Sequence, residues 1–383
     1  MKILLIGEYS NLHNSLKTGL MALEHEVTLI SSEDGFKNFK GDFQLKDKNF
    51  KRTPKFISSV FRFLFKYHFS FYMKSLKFYF LRKSLISYDV VQLINQHAIG
   101  GIPFFERQQL KSLQKNNKSL FLLSCGDDTY SLNYYNNQKS LKYSILTPLH
   151  KNNRLKKYYK STLRYFKKDF IKLGHEIHVL CNGIIASDID YHLPLKNNQK
   201  YLGLIPNPIV LNKLKPNKKK NPKTRILLGI NTNSYIKKGI CYFEKALTEI
   251  ERRYPEVIIK KTKNLPFSIY LEELNKTDIL LDQVFGYDQG YNALEAMALG
   301  KVVFTGAERE FLEHYNLKED EVAINALPDV EYLVSKLSML IEEPERIHKI
   351  GKNAKEFVEK YHNATKVAQM YIDAWKNAIE QQT

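Results

Sequence analysis

Apolar residues fall into short runs along the chain, and stretches with helical spacing separate most of these runs. Residues 1–7 form one such run, a helical pattern follows at residues 16–23, and residues 26–30 form the next run. Short apolar runs that end at glycine or polar residues are typical of strands buried on both faces of a parallel sheet. The N-terminal stretch is therefore predicted to be a strand–helix–strand unit.

The same pattern continues through both halves of the chain. Further strands are predicted at residues 88–94, 119–125, 176–180 and 183–186, and then at 225–230, 257–260, 279–283, 301–305 and 321–324. Helices are predicted at residues 241–253, 268–275 and 292–299, and three more close the chain at 329–341, 344–361 and 364–380. Strands that alternate with helices predict an α/β fold with open parallel sheets.

A basic stretch with two prolines separates the two alternating series. It covers residues 211–224 and reads LNKLKPNKKKNPKT, a composition typical of linkers. The length of 383 residues suits two domains of about 150–200 residues each. We predict an N-terminal Rossmann-like domain at residues 1–212, a C-terminal one at 213–365, and a helix at 366–383 that packs back toward the first domain.

Positive charge is the strongest feature of the composition. Lys and Arg total 59 against 40 Asp and Glu, which gives a net charge of +19 and favours anionic partners. Residues 51–85 hold nine basic residues and eleven Phe or Tyr, and residues 151–172 repeat this composition. Two interpretations stay open: the aromatic residues pack in a core beside a solvated cationic face, or they contact an anionic membrane surface.

The cysteines and the apolar runs bear on the compartment. Cys125, Cys181 and Cys241 are odd in number and widely spaced, which is neither a disulfide framework nor a zinc pattern. No secretory signal pattern is visible at the N-terminus, and no stretch reaches the roughly 20 apolar residues of a spanning helix. We expect a cytoplasmic protein, with peripheral attachment at the inner face of the cytoplasmic membrane as an option.

The most informative stretch is residues 282–300, DQVFGYDQGYNALEAMALG. A predicted strand ends in a glycine-rich loop, Gly290 precedes a helix that starts around Tyr291, Asn292 and Ala293, and Glu295 lies in its first turns. Backbone N–H groups at a helix start attract anions such as a diphosphate. The two oxygens of the Glu295 carboxylate suit the neighbouring hydroxyls of a ribose.

This stretch resembles the donor-site signature of retaining GT-B glycosyltransferases of the glycogen-synthase-like and polysaccharide mannosyltransferase group. The match is the run Glu-Ala-Met-Ala-Leu-Gly at residues 295–300. The resemblance implies two Rossmann-like domains that face each other across a cleft, with Glu295 holding the nucleotide ribose. The family has an acid eight positions earlier, where this chain has Tyr287 followed by Asp288. Either Asp288 replaces that acid, or Tyr287 contacts the donor sugar.

A second match lies at Lys238-Gly239, where the family places a lysine that neutralises the diphosphate. Lys237 adds a neighbouring charge, and Asn231 lies where the family has an arginine. The resemblance thus implies Lys238 and Glu295 as catalytic residues. It implies a nucleotide-sugar site formed by Lys237, Asn231, Tyr287, Asp288, Gly290, Tyr291, Asn292 and Ala293.

Polar residues also follow predicted strands in the N-terminal half. Open α/β sheets bind ligands beyond the carboxyl ends of their strands. The acceptor or cleft candidates at these positions are Gly7, Ser10, Asn11, His13, His97, Asp127 and Asp128. Several have simpler explanations, because Asp127 and Asp128 can cap a helix and a histidine can satisfy local hydrogen bonds.

By this resemblance, the chain is expected to transfer a sugar from a nucleotide-sugar donor to a hydroxyl of a glycan or lipid-linked glycan. Retention of anomeric configuration and a place in cell-surface polysaccharide or glycolipid synthesis are implied, with no metal and no other cofactor. Two alternatives stay open: a basic nucleic-acid-binding protein, although no nucleic-acid-binding signature is present, and a noncatalytic two-domain ligand-binding protein.

Overall fold

The computed structural model describes residues 1–32, 39–45, 59, 63, 66–137, 139, 141–213 and 223–381. The chain forms two compact units. The first consists of residues 1–133, 161–208 and 364–383, and the second consists of residues 134–160 and 209–363. Residues 134–160 therefore belong to the second unit, whereas the sequence places them within a first domain of residues 1–212.

Within the described residues, twelve strands form two sheets, and all their pairings are parallel. The strands are β1 (Lys2–Ile6), β2 (Glu26–Ser31), β3 (Phe43–Gln44), β4 (Val90–Leu93), β5 (Leu120–Ser124), β6 (Gly183–Ala186), β7 (Tyr201–Leu204), β8 (Arg225–Ile230), β9 (Ile258–Lys263), β10 (Ile279–Leu281), β11 (Val302–Thr305) and β12 (Ile324–Asn325). The first unit has the order β3-β2-β1-β4-β5-β6-β7, and the second has β12-β11-β10-β8-β9.

The described helices cover both faces of these sheets in the manner of α/β folds. They are α1 (Leu12–Ala22), α2 (Phe69–Leu81), α3 (Pro103–Asn116), α4 (Thr129–Asn136), α5 (Thr147–Lys151), α6 (Lys160–Leu163), α7 (Lys168–Leu180), α8 (Ile189–Leu195), α9 (Ile240–Arg253), α10 (Phe267–Asn275), α11 (Tyr291–Ala298), α12 (Arg309–Tyr315), α13 (Val330–Glu342), α14 (Pro344–Tyr361) and α15 (Ala364–Glu380).

The central strands are short and apolar because helices cover them on both sides. Every residue of β4, β5, β6, β10 and β11 is buried. Strands of this kind have no solvent-facing side, so they read as continuous apolar runs rather than as alternating patterns. The α/β prediction with two open parallel sheets is confirmed.

One predicted strand is wrong. Residues 176–180 form the last turns of α7, not a strand. The β-branched residues of this stretch suggested a strand, but the buried residues of α7 are Phe170, Leu173, Gly174 and Ile177. Their spacing of three and four residues places one apolar stripe against the core, which is the helical arrangement.

Two segments singled out in the sequence fall partly outside the described residues. Within residues 51–85, positions 51–58, 60–62, 64 and 65 lie outside them, and the described part contains α2. Within the predicted linker, residues 214–222 also lie outside them.

The C-terminal helix α15 completes the core of the first unit. Trp375 is fully buried, and its indole Nε1 donates a hydrogen bond to Oε1 of Gln92, at 2.9 Å. Its ring lies beside Phe121 on β5 and Tyr371 one turn away. A buried indole with a satisfied N–H contributes both apolar area and a specific orientation, so it fixes α15 against the sheet.

Replacement of Trp375 by Ala is therefore expected to lower the free energy of unfolding of the first unit by about 3–5 kcal/mol. The variant Met370→Ala on the same helix is the control, since Met370 is 41% exposed. Denaturant unfolding measures both variants. Equal effects of the two changes would contradict the assigned role of Trp375.

Candidate functional site

The carboxyl ends of β8 and β10 carry the two loops that matter most in the second unit. The loop after β8 turns into α9 at Gly239, whose φ of +66° is unfavourable for other residues. The backbone N–H of Val284, in the loop after β10, donates to the carbonyl oxygen of Lys238, at 2.9 Å. The two loops are thus joined at the edge where parallel sheets bind ligands.

A buried carboxylate connects these loops. Asp282 is 1% exposed, and its Oδ1 accepts hydrogen bonds from Lys238 Nζ at 2.7 Å and from Asn292 Nδ2 at 2.8 Å. Lys238 comes from the loop after β8, and Asn292 comes from the first turn of α11. Lys238 is therefore engaged in an ion pair inside the second unit rather than directed at open space.

Glu295 lies close to this network. It is 6% exposed on α11, next to Tyr270 of α10. Burial raises the pKa of the Tyr270 hydroxyl, and the nearby carboxylates of Asp282 and Glu295 raise it further. The sequence-predicted residues Glu295, Lys238 and Asn292 are thus brought into one polar cluster.

A cavity of about 850 Å³ opens beside this cluster. One wall comes from the ends of β8, β9 and β10 and the start of α9, and it includes Lys237, Lys263 and Phe285. The other wall consists of residues 147–158, which lie within the segment 134–160 of the second unit. Neither Lys238 nor Glu295 lines this cavity. Its volume lies at the upper end of the usual range for small-molecule sites.

The cavity is lined by more positive than negative side chains. Among the described residues, its cationic side chains are Lys151, Lys157, Lys237 and Lys263, and its one lining carboxylate is Glu244. Tyr235 donates its hydroxyl hydrogen to Glu244 Oε2. The surplus of cations at the carboxyl ends of the strands suits an anionic ligand.

The other predicted nucleotide residues surround the loop after β10. Asn231 accepts a hydrogen bond from the backbone N–H of Asn233, at 3.0 Å, and shapes the turn after β8. Asp288 is 6% exposed and accepts from the N–H of Gln289, at 2.6 Å. The start of α11 is formed by Gly290 as the preceding cap, Tyr291 at 8% exposure and Ala293 at 0%.

Tyr287 contacts the segment of residues 134–160 in the second unit. It is 1% exposed, and its hydroxyl oxygen accepts a hydrogen bond from the backbone N–H of Lys142, at 2.8 Å. Burial raises its pKa to about 12, so the phenol is neutral near pH 7. Whether Tyr287 or Asp288 contacts a donor sugar stays a prediction.

Glu308 is a buried carboxylate of the second unit that the sequence did not single out. It is 2% exposed and accepts hydrogen bonds from Lys142 Nζ at 2.8 Å, from Asn325 Nδ2 at 2.9 Å and from the Tyr143 hydroxyl. Burial alone would raise the pKa of Glu308, but these donors outweigh it and hold the pKa below its ordinary value. The sequence feature that could have pointed to Glu308 is its position just after β11, at the carboxyl end of a strand.

The first unit collects its own candidates at the carboxyl ends of β1, β4 and β5. Gly7 has a φ of +90°, and a Cβ there would lie 2.1 Å from Cγ2 of Ile94. Ser10 and Asn11 follow with φ values of 52° and 76°. His13 is fully buried, its Nδ1 donates to the Gly7 carbonyl at 2.8 Å, and burial lowers its pKa to about 3. His13 is therefore a neutral ring that fixes the loop.

His97 and the two aspartates are held by local partners. Nδ1 of His97 lies 2.8 Å from Oε2 of the fully buried Glu106. Asp127 accepts a hydrogen bond from the Thr162 hydroxyl, at 2.6 Å. Asp128 accepts from the N–H of Ser131, at 2.7 Å, and so caps the start of α4, while burial raises its pKa.

Two properties of the described residues bear on cofactors and membranes. Within them, no group of three or more His, Cys, Asp or Glu side chains is placed to hold a metal ion. Among the described helices, none combines the length and the apolar character needed to cross a bilayer. The expectation of a reaction without metal or cofactor stays a prediction.

Solved structures share the fold over nearly the whole chain. Sucrose-phosphate synthase from Thermosynechococcus elongatus gives a TM-score of 0.59 at 11% identity, with 100% of both chains covered. HepE from Anabaena in complex with UDP-glucose gives 0.58 at 12% identity, with 98% of this chain and 100% of HepE covered. UDP-GlcNAc 2-epimerase from Neisseria meningitidis, bound to UDP-GlcNAc, gives 0.53 at 13% identity, with 98% and 100% covered. These similarities show the GT-B fold, which transferases and epimerases share.

The family model described as glycosyl transferase-like matches residues 220–373, which contain most of the second unit and the strand-end wall of its cavity, but not the wall at residues 147–158. No curated protein matches the chain. The chain thus has the GT-B fold, and its residues 220–373 match the glycosyl transferase-like family model.

The different surroundings of two adjacent lysines can be tested by stability. Lys238→Met leaves the buried Asp282 carboxylate without its cation, and we expect the second unit to lose about 3 kcal/mol of its free energy of unfolding. Adding Asp282→Asn in the same chain should recover most of that loss. Lys237→Met is the matched control and should change stability by about 0.5 kcal/mol or less. Equal losses for the two lysine variants in denaturant unfolding would contradict this assignment.

Proposed function

We propose that the cavity of the second unit binds a nucleoside diphosphate sugar and that the enzyme transfers the sugar to a hydroxyl of a glycan or lipid-linked glycan. The observation that carries this proposal is the cavity of about 850 Å³ at the carboxyl ends of β8, β9 and β10, lined by four lysines. A nucleoside diphosphate sugar fits such a volume and carries its charge on the diphosphate.

Lys237 and Lys263 are the side chains of the strand-end wall that we assign to the diphosphate. As the bond between the sugar's C1 and the phosphate oxygen breaks, negative charge builds up on the leaving diphosphate. Fixed cations around that oxygen stabilise this charge more strongly than water does, because they need no reorganisation. The new bond forms between C1 and the acceptor oxygen, whose proton is released.

Glu295 is proposed to contact the ribose, on the basis of the family resemblance. Because Glu295 does not line the cavity, this contact requires the nucleoside to extend beyond the cavity toward α11. Its burial beside Tyr270 and Asp282 also gives it a packing role, so activity and stability have to be measured together. By the same resemblance we propose retention of configuration and a role in cell-surface polysaccharide or glycolipid synthesis. Reaction at the cytoplasmic side of the membrane and without a metal is part of the same proposal.

Cys241 offers a direct test of ligand binding, because this exposed thiol lines the cavity. UDP, GDP or ADP is expected to slow its alkylation by N-ethylmaleimide at least about tenfold at saturation, and to raise the melting temperature. The reaction is followed by peptide mass mapping near pH 8.5, because burial raises the pKa of the thiol. Cys125, in the first unit, is the internal reference.

Lys237→Met combined with Lys263→Met should abolish most of this protection. If no nucleoside diphosphate protects Cys241 or raises the melting temperature, while a polynucleotide binds tightly at physiological salt, the nucleic-acid alternative replaces the transferase proposal. If a nucleoside diphosphate protects Cys241 but no sugar transfer or donor hydrolysis is detected with any donor, the noncatalytic alternative replaces it.

For catalysis, we expect Glu295→Ala to reduce sugar transfer by at least about a hundredfold, since it removes both hydrogen-bond acceptors from the ribose. Glu295→Gln keeps the size and one acceptor oxygen and should retain more activity. Far-ultraviolet circular dichroism and the melting temperature check the fold. A folded Glu295→Ala enzyme with wild-type transfer would contradict the role of Glu295.

A second part of the proposal concerns the first unit, where α2 and α3 pack against each other. The Ser75 hydroxyl accepts from the N–H of Ile102, at 2.9 Å, and the Ser75 carbonyl accepts from Gln109 Nε2, at 2.7 Å. The two helices expose the apolar side chains Leu76, Tyr79, Phe80, Phe104 and Phe105. Arg82 lies over the Tyr79 ring, at 4.3 Å, and Lys83 is exposed nearby in sequence. We propose this surface as a contact with an anionic membrane, where a lipid-linked acceptor would lie.

Wild-type protein is expected to sediment with phosphatidylglycerol vesicles at low ionic strength and to dissociate as salt rises, because the cations contribute part of the affinity. Replacing Phe80, Phe104 and Phe105 by Ser should reduce binding at least about tenfold. Ile269→Ser, at an exposed apolar site of the second unit, is the control. Wild-type protein that ignores anionic vesicles at low salt would refute this contact.

A further inference from the structure

The segment between β5 and β6 contributes a complete wall to the cavity of the second unit. We call residues 141–158 the strap. It contains α5 and a 3₁₀ helix at Asn153–Tyr158. Tyr159, the residue after the strap, donates a hydrogen bond from its hydroxyl to the carbonyl oxygen of Ile145, at 2.7 Å, and so joins the two ends of this segment. Its cavity-lining residues are Thr147, Pro148, Lys151, Asn152, Leu155, Lys157 and Tyr158.

A polar contact fixes the start of the strap to the second unit. Lys142 donates its side-chain hydrogen bond to Glu308 and its backbone N–H to the Tyr287 hydroxyl, each at 2.8 Å. The Tyr143 hydroxyl donates to the other oxygen of Glu308. Asn325 holds the same carboxylate from β12, at 2.9 Å, so Glu308 is itself fixed in the sheet. A buried carboxylate with three donors on two oxygens favours one orientation of its partners.

An aromatic row joins this polar contact to the cavity. The Tyr143 ring lies 5.6 Å from the Tyr287 ring and 6.2 Å from the Phe285 ring, measured between centroids. Phe285 lines the cavity and also meets Tyr242, at 5.9 Å. A shift of Tyr143 would therefore disturb the cavity wall directly, because close-packed rings transmit displacement.

The cationic lining is divided equally between the two walls. Lys237 and Lys263 come from the strand-end wall, and Lys151 and Lys157 come from the strap. Without the strap, half of the cations around the ligand would be missing. An anion between the walls is attracted by both pairs of lysines. This electrostatic attraction depends on the distance of the strap from the strand-end wall.

We propose that the strap is part of the donor site: Lys151 and Lys157 bind the diphosphate of the nucleoside diphosphate, and Glu308 is a positioning residue that holds the strap in place. This inference rests on the proposed function, since it assumes the same ligand. It extends the donor site to the strap, which follows β5 of the first sheet along the chain. It also assigns a role to Glu308, whose carboxylate does not line the cavity.

The test measures dissociation constants for the nucleoside diphosphate that binds most tightly and for inorganic pyrophosphate. The double variant Lys151→Ala/Lys157→Ala should weaken both ligands by the same factor, about tenfold at low ionic strength and less at high salt. A matching factor is expected because pyrophosphate carries the charges but neither base nor ribose. Weakening of the nucleoside diphosphate alone would overturn the assignment of the two lysines to the phosphates.

Glu308→Gln tests the positioning role through a double-mutant cycle. Alone, it should weaken pyrophosphate binding about fivefold and speed alkylation of Cys241 in the absence of ligand. Added to Lys151→Ala/Lys157→Ala, it should weaken pyrophosphate binding no further, because the strap no longer carries its two lysines. Equal effects of Glu308→Gln in both backgrounds would overturn the role of Glu308. Glu313→Gln, which removes an exposed ion pair with Arg309, is the control.

The outcomes separate this inference from the proposed function. If wild-type protein binds a nucleoside diphosphate and the strap double variant binds it equally well, the strap assignment fails and the donor cavity stands. If wild-type protein binds neither a nucleoside diphosphate nor pyrophosphate, the proposed function fails first. The lysine variants change exposed side chains, so they keep the test decisive even if Glu308→Gln does not fold.

Discussion

The carboxylate of Asp282 holds together the elements that surround the candidate donor site. It accepts from Lys238 in the loop after β8 and from Asn292 in α11, and it follows β10 itself. A buried carboxylate must have such partners, because leaving it unpaired would cost several kcal/mol. This need for partners holds the loops after β8 and β10 and the start of α11 together at one edge of the sheet. The cavity lies at the same edge.

This constraint also explains why two neighbouring lysines differ. Lys238 satisfies the buried charge and is committed to the framework, whereas Lys237 lines the cavity beside it. Glu308 plays a comparable part at the end of β11, where it fixes the strap through Lys142 and Tyr143. Two buried carboxylates at strand ends are thus bonded to the segments that form the two walls, and two lysines line each wall.

The sequence allowed the sheets to be predicted because strands buried on both faces read as apolar runs, as β4, β5 and β10 do. It also led to the cluster around Glu295, where a loop and a helix start are local features. The strand predicted at residues 176–180 is wrong, because these residues end a helix whose buried stripe begins before them, at Phe170 and Leu173. The contacts of Lys142 with Glu308 join residues 166 positions apart, and no local pattern reports such a pair.

The central claim is that the nucleotide part of the donor lies in the cavity of the second unit. Photolabelling with an azido-base analogue of the nucleoside diphosphate that binds most tightly, followed by peptide mapping, tests it most directly. If the nucleotide binds in the cavity, the label is expected on peptides from residues 147–158 and 230–244, and unmodified nucleotide is expected to suppress this labelling. Saturable labelling confined to residues 7–13 or 95–128 of the first unit would contradict the account.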